Sequence, residues 1–313
     1  MVVFTDSLDY ADQATGSVVG NWGEPVSHQQ AGIRQLCDAI YGTRSIRESK
    51  LGDESGWDYL FLVESASRSH YDLLIDLTRR GIHLPDGVLC LAGSGERFHG
   101  FKGRVWSAPA GNIYLAVHLA PHQPFDHAAT CFTVLAAVSV LDAVDGIPGL
   151  EGTAQIKWVN DILIDGAKVA GVLAYTQREA AAITDVVLGI GLNVATIPSV
   201  APTPFVPRVG ALQAVVPDPA NCSISLVFRR LVDALGRNYR ALREGGQAAL
   251  LDRYRQRSLV IGREIALCSE DSGTDPDVLA VGRVEALSDD LELMMEGHDR
   301  HFSIGRVVLD PEH

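Results

Sequence analysis

The sequence predicts an α+β protein: a mixed β-sheet domain with a buried central helix, followed by a small SH3-like β-barrel domain at the C-terminal side. Three observations carry this. Apolar runs of strand character alternate with helical stretches from residue 57 to about residue 256. One stretch, "DHAATCFTVLAAVSVLDAVDG", is apolar nearly all round, as a helix covered on every side must be. Three strand-like runs then close the chain at the spacing of a small barrel.

In order, residues 1–55 are mixed and turn-rich, with a helix over 29–41, and are set apart as an N-terminal extension with no recognisable DNA-binding domain. "WDYLFLVES" (57–65) reads as the first strand. A helix follows, with Ser67 as its cap and Gly81 as its stop. "DGVLCLAG" is a second, buried strand, and a glycine-rich loop runs over 93–103. "NIYLAVHL" is a third strand. The apolar helix opens on Asp126 and closes at Gly146. "QIKWVNDILIDGAKVAGVLAYT" reads as a hairpin turning at Asp165-Gly166. "DVVLGIGLNV" is another strand, and residues 197–220 form a proline-rich irregular loop. Two helices, over "SISLVFRRLVDALGRNYRAL" and "QAALLDRYRQRS", complete a domain spanning 56–257. The runs "REIALCS", "VLAVGRVEALSDDLELMME" and "RHFSIGRVVL" build the domain spanning 258–313.

Composition narrows the function classes. Hydrophobic residues at 47% and charged residues at 21% are globular values. The net charge of -13 and the lack of clustered Lys and Arg argue against a nucleic-acid partner. No apolar run reaches the roughly 18 residues of a membrane span, and the acidic start is unlike a signal peptide. Five widely spaced cysteines without a CxxC pair argue against disulfides and zinc, and fit a reducing cytoplasm. His70, His99, His118, His122 and His127 are scattered and read as structural or solvated.

Three segments bear chemistry. "AGSGERFHGFKGRVWSAPAGN" combines glycines, including Gly93, Gly95 and Gly103, with Arg97, Lys102 and Arg104, so backbone N–H groups and cations can meet an anion. It matches neither the Walker nor the Rossmann pattern, and a merely basic surface loop stays open as a reading. In "KWVND", strand alternation puts Lys157, Val159 and Asp161 on one face and Trp158 and Asn160 on the other. A buried ammonium needs a partner or an anionic ligand, whereas an edge-strand lysine in water needs neither. In "GIGLN", Gly189 and Gly191 mark a bulge or a close approach, and Asn193 offers a donor and an acceptor or simply caps a turn.

Together these segments, from about residue 57 onward, resemble the biotin–protein ligase family of the biotin/lipoate ligase superfamily. The signals occur in the family's order: "ESASRSH", the loop ending "KGRVW", "NIYLAV", "KWVNDILIDGAKVAGVL", "GIGLN" and a β tail. The resemblance implies an ATP-dependent ligase that forms biotinyl-5′-AMP and passes biotin to a lysine of a carboxylase's biotin carrier domain. Neither nucleic acid nor membrane is then a partner, and the choice between monomer and homodimer stays open. By resemblance, Lys157 meets the reacting carboxylate and the α-phosphate, and Arg104 acts with it. Lys102 and Gly103 fold over the acyl-adenylate, with Gly93 and Gly95 in the same loop. Trp106 and Asn112 line the nucleotide side, Asn193 reads adenine, and Asn160, Asp161 and Lys168 complete the set. Gly171, Gly189 and Gly191 leave room for the acyl group, and Ser67 contacts its ring. Mg²⁺ bridges the phosphates; its protein ligand is unassigned, with Asp161 and Glu151 as candidates.

The chain departs from the family in the ring-contact segments. Cys90 and Leu91 replace a glutamine pair, the loop is longer, and Arg68 stands at the usual threonine. An unpaired group in a polar site costs roughly 1–3 kcal/mol. A lipoate or octanoate ligase, or a non-catalytic binding protein of the same build, is therefore the alternative.

Overall fold

The structure is a computed structural model and describes residues 1–16, 20–25, 30–52, 56–271 and 277–309. The main sheet is built from β1 (Val2–Thr5), β2 (Arg47–Lys50), β3 (Tyr59–Ala66), β4 (Val88–Gly95), β5 (Ile113–Leu119), β6 (Gln155–Lys157), β7 (Asp161–Ile164), β8 (Ala167–Glu179) and β9 (Ala182–Leu192). Among the described residues their order is β2-β1-β3-β4-β5-β9-β8-β7-β6. The β1-β3-β4 section is parallel and the remaining pairings are antiparallel, so the sheet is mixed as the sequence predicts.

The helices cover both faces. On one lie α1 (Leu8–Thr15), α4 (Ala128–Asp145), α5 (Ile224–Arg243) and α6 (Gln247–Gln256); on the other lie α2 (Ala31–Tyr41) and α3 (His70–Arg79). Helix α4 is buried between the sheet and α5 and α6, which accounts for its apolar circumference. Alternation along β9 divides its side chains: Leu188, Ile190 and Leu192 point into the α4 core, while Gly189 and Gly191 face the α3 side. The tail strands β10 (Glu264–Cys268), β11 (Val278–Leu287), β12 (Leu293–Met295) and β13 (Arg306–Val308) form a separate four-stranded antiparallel sheet in the order β12-β11-β10-β13.

Four local expectations are corrected. Residues 2–5, assigned to an extension, are a strand hydrogen-bonded beside β3, with Val3 and Phe4 fully buried. Helix α3 starts at His70 behind Ser69, not at Ser67. Helix α4 is preceded by His127 in a left-handed conformation, so Asp126 is not its cap. "KWVND" is not one alternating strand. It turns at residues 158–160, so Lys157 and Asp161 pair across a tight antiparallel connection between β6 and β7. The next turn is as predicted: Asp165 and Gly166 have φ of 49° and 72°, the positive pair a two-residue hairpin turn requires.

Candidate functional site

One row of residues across the sheet organises the site. In register, Lys157 pairs with Asp161, Asp161 with Gly171, Gly171 with Gly191, and Gly191 with Tyr114. A second row sets Leu173, Gly189 and Ala116 side by side. Small residues in adjacent strands leave a trough on the α3 face. Two aromatic rings approach it: a Cβ on Gly191 or Gly171 would meet the Trp106 indole at 2.5 and 3.0 Å, and one on Gly189 would meet Tyr71 at 3.0 Å.

Two cavities adjoin here. The inner one lies between the trough, the start of α3 and the glycine-rich loop; Ser69, His70, Tyr71 and His99 line its far end. The outer one lies between the same loop, the proline-rich segment and the tail sheet, which adds Glu270, Gly305 and Arg306. Arg104, Trp106, Asn160, Asp161 and Lys168 line both. Gly171, Gly189 and Gly191 line the inner cavity, and Lys102, Lys157 and Asn193 the outer.

Lys157 is 5% exposed, and its Nζ donates to the Phe205 carbonyl. Burial pushes its ammonium down to about 8; Asp161 opposes this, and Lys168, Arg306 and Arg104 reinforce it. Asp161 is paired with Lys168 at 2.6 Å, and the Lys168 ammonium lies 5.1 Å from the Trp106 ring centroid. Arg104 reaches Glu270 at 3.3 Å, and Arg306 lies over the Phe205 ring at 3.5 Å. Five basic groups, Lys102, Arg104, Lys157, Lys168 and Arg306, thus share a compartment with two carboxylates, a local excess of positive charge in an acidic chain. Asn160 fixes the 158–160 turn to β8, its Nδ2 donating to the Val172 carbonyl at 2.7 Å. Asn193 is 1% exposed; its Nδ2 donates to the Gly210 carbonyl, and its Oδ1 has no partner among the described residues. The Trp106 Nε1 is likewise unpartnered among the described residues.

Several predicted residues lie elsewhere. Asn112 lines neither cavity. Its Oδ1 accepts from Val194 and Thr196 N–H, and its Nδ2 donates to the Thr196 carbonyl and Tyr114 hydroxyl, so its amide is consumed in shaping the 194–196 turn. Gly93 makes room for Tyr10 of α1 and Gly95 for the Phe98 ring, so neither faces a ligand. Gly103 adopts φ 74° at the loop tip but lines neither cavity. Ser67 lies outside both; its carbonyl accepts two bonds from Arg97. Glu151 caps its own loop through the Gly149 N–H and borders neither cavity. Sequence reading missed Ser69, which stands in "ESASRSH" beside the chosen Ser67, and Tyr71, Phe205, Glu270 and Arg306, which stand in no motif. It left His99 among the scattered histidines, although that residue sits inside the glycine-rich loop.

A mixed sheet with a trough of glycines, a buried lysine and a covering loop has the fold of the biotin protein ligases. The solved ligase of Aquifex aeolicus in complex with biotin and ATP superposes with a TM-score of 0.60 at 18% identity, covering 79% of this chain and 97% of that one. Residues 92–193 match the model of the biotin/lipoate A/B protein ligase family, the stretch that holds the loop, Lys157 and the glycine trough. The chain is 34% identical over 131 residues to the bifunctional ligase/repressor BirA of Bacillus spizizenii, covering 40% of this chain and 39% of that protein. It is 34% identical over 159 residues to the biotin–[acetyl-CoA-carboxylase] ligase of Mycobacterium tuberculosis, covering 50% of this chain and 56% of that one. The chain thus spans about half the length or less of the two curated relatives, and its resemblance to biotin–protein ligases holds in sequence and in fold.

Proposed function

We propose that this chain is an ATP-dependent biotin–protein ligase that forms biotinyl-5′-AMP and transfers the biotinyl group to a lysine of a carboxylase's carrier domain. The observation that carries the reading is Lys157, a buried cation with an uncharged acceptor, lining the outer cavity and paired in register with Asp161, which lines both. On this reading the acyl chain and ring lie along the glycine trough, and the nucleotide occupies the outer cavity. A carboxylate oxygen attacks the α-phosphorus, that P–O bond forms, and the bond to pyrophosphate breaks. Lys157 and Arg104 neutralise charge growing on the phosphoryl oxygens without moving, the condition under which fixed cations accelerate a reaction most. Asn193 presents its unpartnered oxygen to the exocyclic amine of adenine, and the carrier lysine then attacks the activated carbonyl and releases AMP.

Among the described residues no group of three or more His, Cys, Asp or Glu could cage a metal. Asp161 fits Mg²⁺ as a single carboxylate beside phosphates, the usual mode for this ion, where it would neutralise phosphate charge. Glu151 does not fit, because it borders neither cavity. The tail sheet we read as an SH3-like barrel over 258–313 that closes the nucleotide end, with 56–257 as the catalytic unit. Five free cysteines suit a reducing cytoplasm. No helix among the described residues is long and apolar enough to cross a membrane.

The test is incubation with ATP, labelled biotin and a carrier domain; absence of both adenylate and labelled carrier refutes the reading. One observation favours a second acid. Cys90 and Leu91 are fully buried in two different cores, so neither presents a polar group to the inner cavity. Lipoate or octanoate, lacking a ureido ring, then becomes the substrate; a rise in melting temperature with lipoate and not biotin establishes it.

A further inference from the structure

The long glycine-rich loop is folded as a small hairpin. Trp106 N–H donates to the Phe98 carbonyl at 3.0 Å, His99 bridges Val105, and Gly100 N–H donates to the Arg104 carbonyl at 2.6 Å. Its tip, Phe101–Gly103, turns through Lys102 at φ 58°. Besides the Arg104–Glu270 pair and the seat of Trp106 on Gly191, this hairpin is fastened to the body of the protein at two places. Phe98 packs against Tyr114 with ring centroids 5.6 Å apart, and His99 reaches the first turn of α3. There His99 Nε2 lies 2.8 and 2.9 Å from the two oxygens of Asp72, and Nδ1 lies 3.0 Å from the Gly100 carbonyl. Both ring nitrogens face only acceptors. A neutral imidazole has one N–H, so satisfying both contacts requires the imidazolium. Arg104 and Trp106, which border both cavities, sit on the return arm of the same hairpin.

We propose that the His99–Asp72 ion pair is the positioning device of the glycine-rich loop, holding Arg104 and Trp106 over the cavities before any substrate arrives. His99 touches no substrate on this account; it acts through the backbone it anchors. The titratable groups facing it are Asp72 and Tyr71 of α3, the latter edge-on with centroids 6.4 Å apart. Burial lowers the affinity of the ring for its proton, but the Gly100 carbonyl and Asp72 together lift it above the ordinary histidine range. The sign follows: the anchor is complete at low pH and is lost as pH rises through that raised value. That the loop serves acyl transfer rests on the proposed function; that the pair holds it does not.

The test is amide hydrogen exchange at Gly100 and Trp106 in the unliganded full chain, at about pH 6 and about pH 8.5, corrected for intrinsic rates. Protection should fall roughly three- to tenfold at the higher pH, the scale of a partly exposed but two-oxygen ion pair. Asp72→Asn should show the low protection at both values, and His99→Arg, which keeps a cation, the high protection at both. Amides of β9 control for global unfolding. Equal protection in the wild type and Asp72→Asn overturns the proposal. Where pyrophosphate release is measurable, Asp72→Asn should raise KM for the acid with kcat retained. If the wild type releases none while the exchange pattern holds, the ligase reading fails and the anchor stands.

Discussion

Trp106 occupies the space that Gly191 leaves open: a methyl group at 191 would meet the indole at 2.5 Å on Cζ2 and 2.9 Å on Nε1. A residue from the loop therefore lies on the floor of the trough, and its N–H has no acceptor there among the described residues. The indole thus covers Gly171 and Gly191 and fills the space their missing side chains leave.

Gly191→Ala should therefore displace Trp106 and cost about 1–3 kcal/mol in chemical denaturation, the usual range for overpacking. Gly171→Ala, whose added carbon meets the ring at 3.0 Å, should cost less. Adenylate formation should fall more than stability in both, measured by pyrophosphate release at saturating ATP. Equal stability of the two variants and the wild type would show that the trough is not closed by the indole.

Lys157→Met should lower pyrophosphate release by about 100-fold or more, the scale seen when a fixed transition-state partner is removed. The fold should survive, since a buried ammonium is exchanged for an apolar chain of similar length. Retention of most activity would remove this residue from the chemistry.

The same lysine sets a pH signature in stability. Its ordinary value of 10.5 is lowered to about 8, so between those values the unfolded chain binds more protons than the folded one. Unfolding free energy of the wild type should then rise relative to Lys157→Met as pH goes from 8 to 10.5, by at most about 3 kcal/mol. A flat difference in urea titrations across this window would contradict the burial.

Asn112 and Asn193 should separate structure from binding. Asn112→Ala strands the buried Val194 N–H and the half-buried Thr196 N–H and should cost about 2–3 kcal/mol while leaving KM for ATP unchanged. Asn193→Ala loses one bond to Gly210 and removes an oxygen without a partner among the described residues, so stability should fall by less. KM for ATP should rise about tenfold. The reverse pattern would exchange their roles.

Glu270 holds Arg104 at 3.3 Å and the Gly305 N–H at 3.2 Å on the wall of the outer cavity. Glu270→Gln should leave Arg104 and Arg306 with less anionic competition and lower KM for ATP about threefold at low salt, an advantage that fades as ions screen it. An unchanged KM over a salt series would show that this carboxylate does not compete with phosphate.

How much of this was legible in the sequence depends on how local each signal is. The strands over 59–66, 88–95, 113–119 and 182–192 announce themselves by apolar runs, and α4 by its unbroken apolar surface. Strand β1 did not, because it has four residues and becomes a strand only beside β3, some fifty-odd positions away. Lys157, Gly171, Gly189 and Gly191 were readable as a set only through the order of the family's motifs; the register that brings them into adjacent rows is set by pairing across the sheet. Lys157 and Asp161 do share a face, but as cross-strand partners and not along one strand, because residues 158–160 turn. Gly93 and Asn112 were misassigned for a different reason. What a glycine admits, or an amide holds, depends on which distant residue arrives, here Tyr10 and Thr196. The tail's Glu270 and Arg306 carry no motif, and only the second sheet brings them to the cavity.

The bond from Lys157 to the Phe205 carbonyl ties the most buried cation of the site to the proline-rich segment, where Thr203 and Val206 close a turn and Val200 stands half exposed. A carbonyl is a weaker acceptor than a carboxylate or phosphate oxygen. The ammonium has three N–H groups, so an anion reaching the lysine shares them with this carbonyl. The outer cavity and the surface segment around residues 198–206 are thus joined through one buried nitrogen.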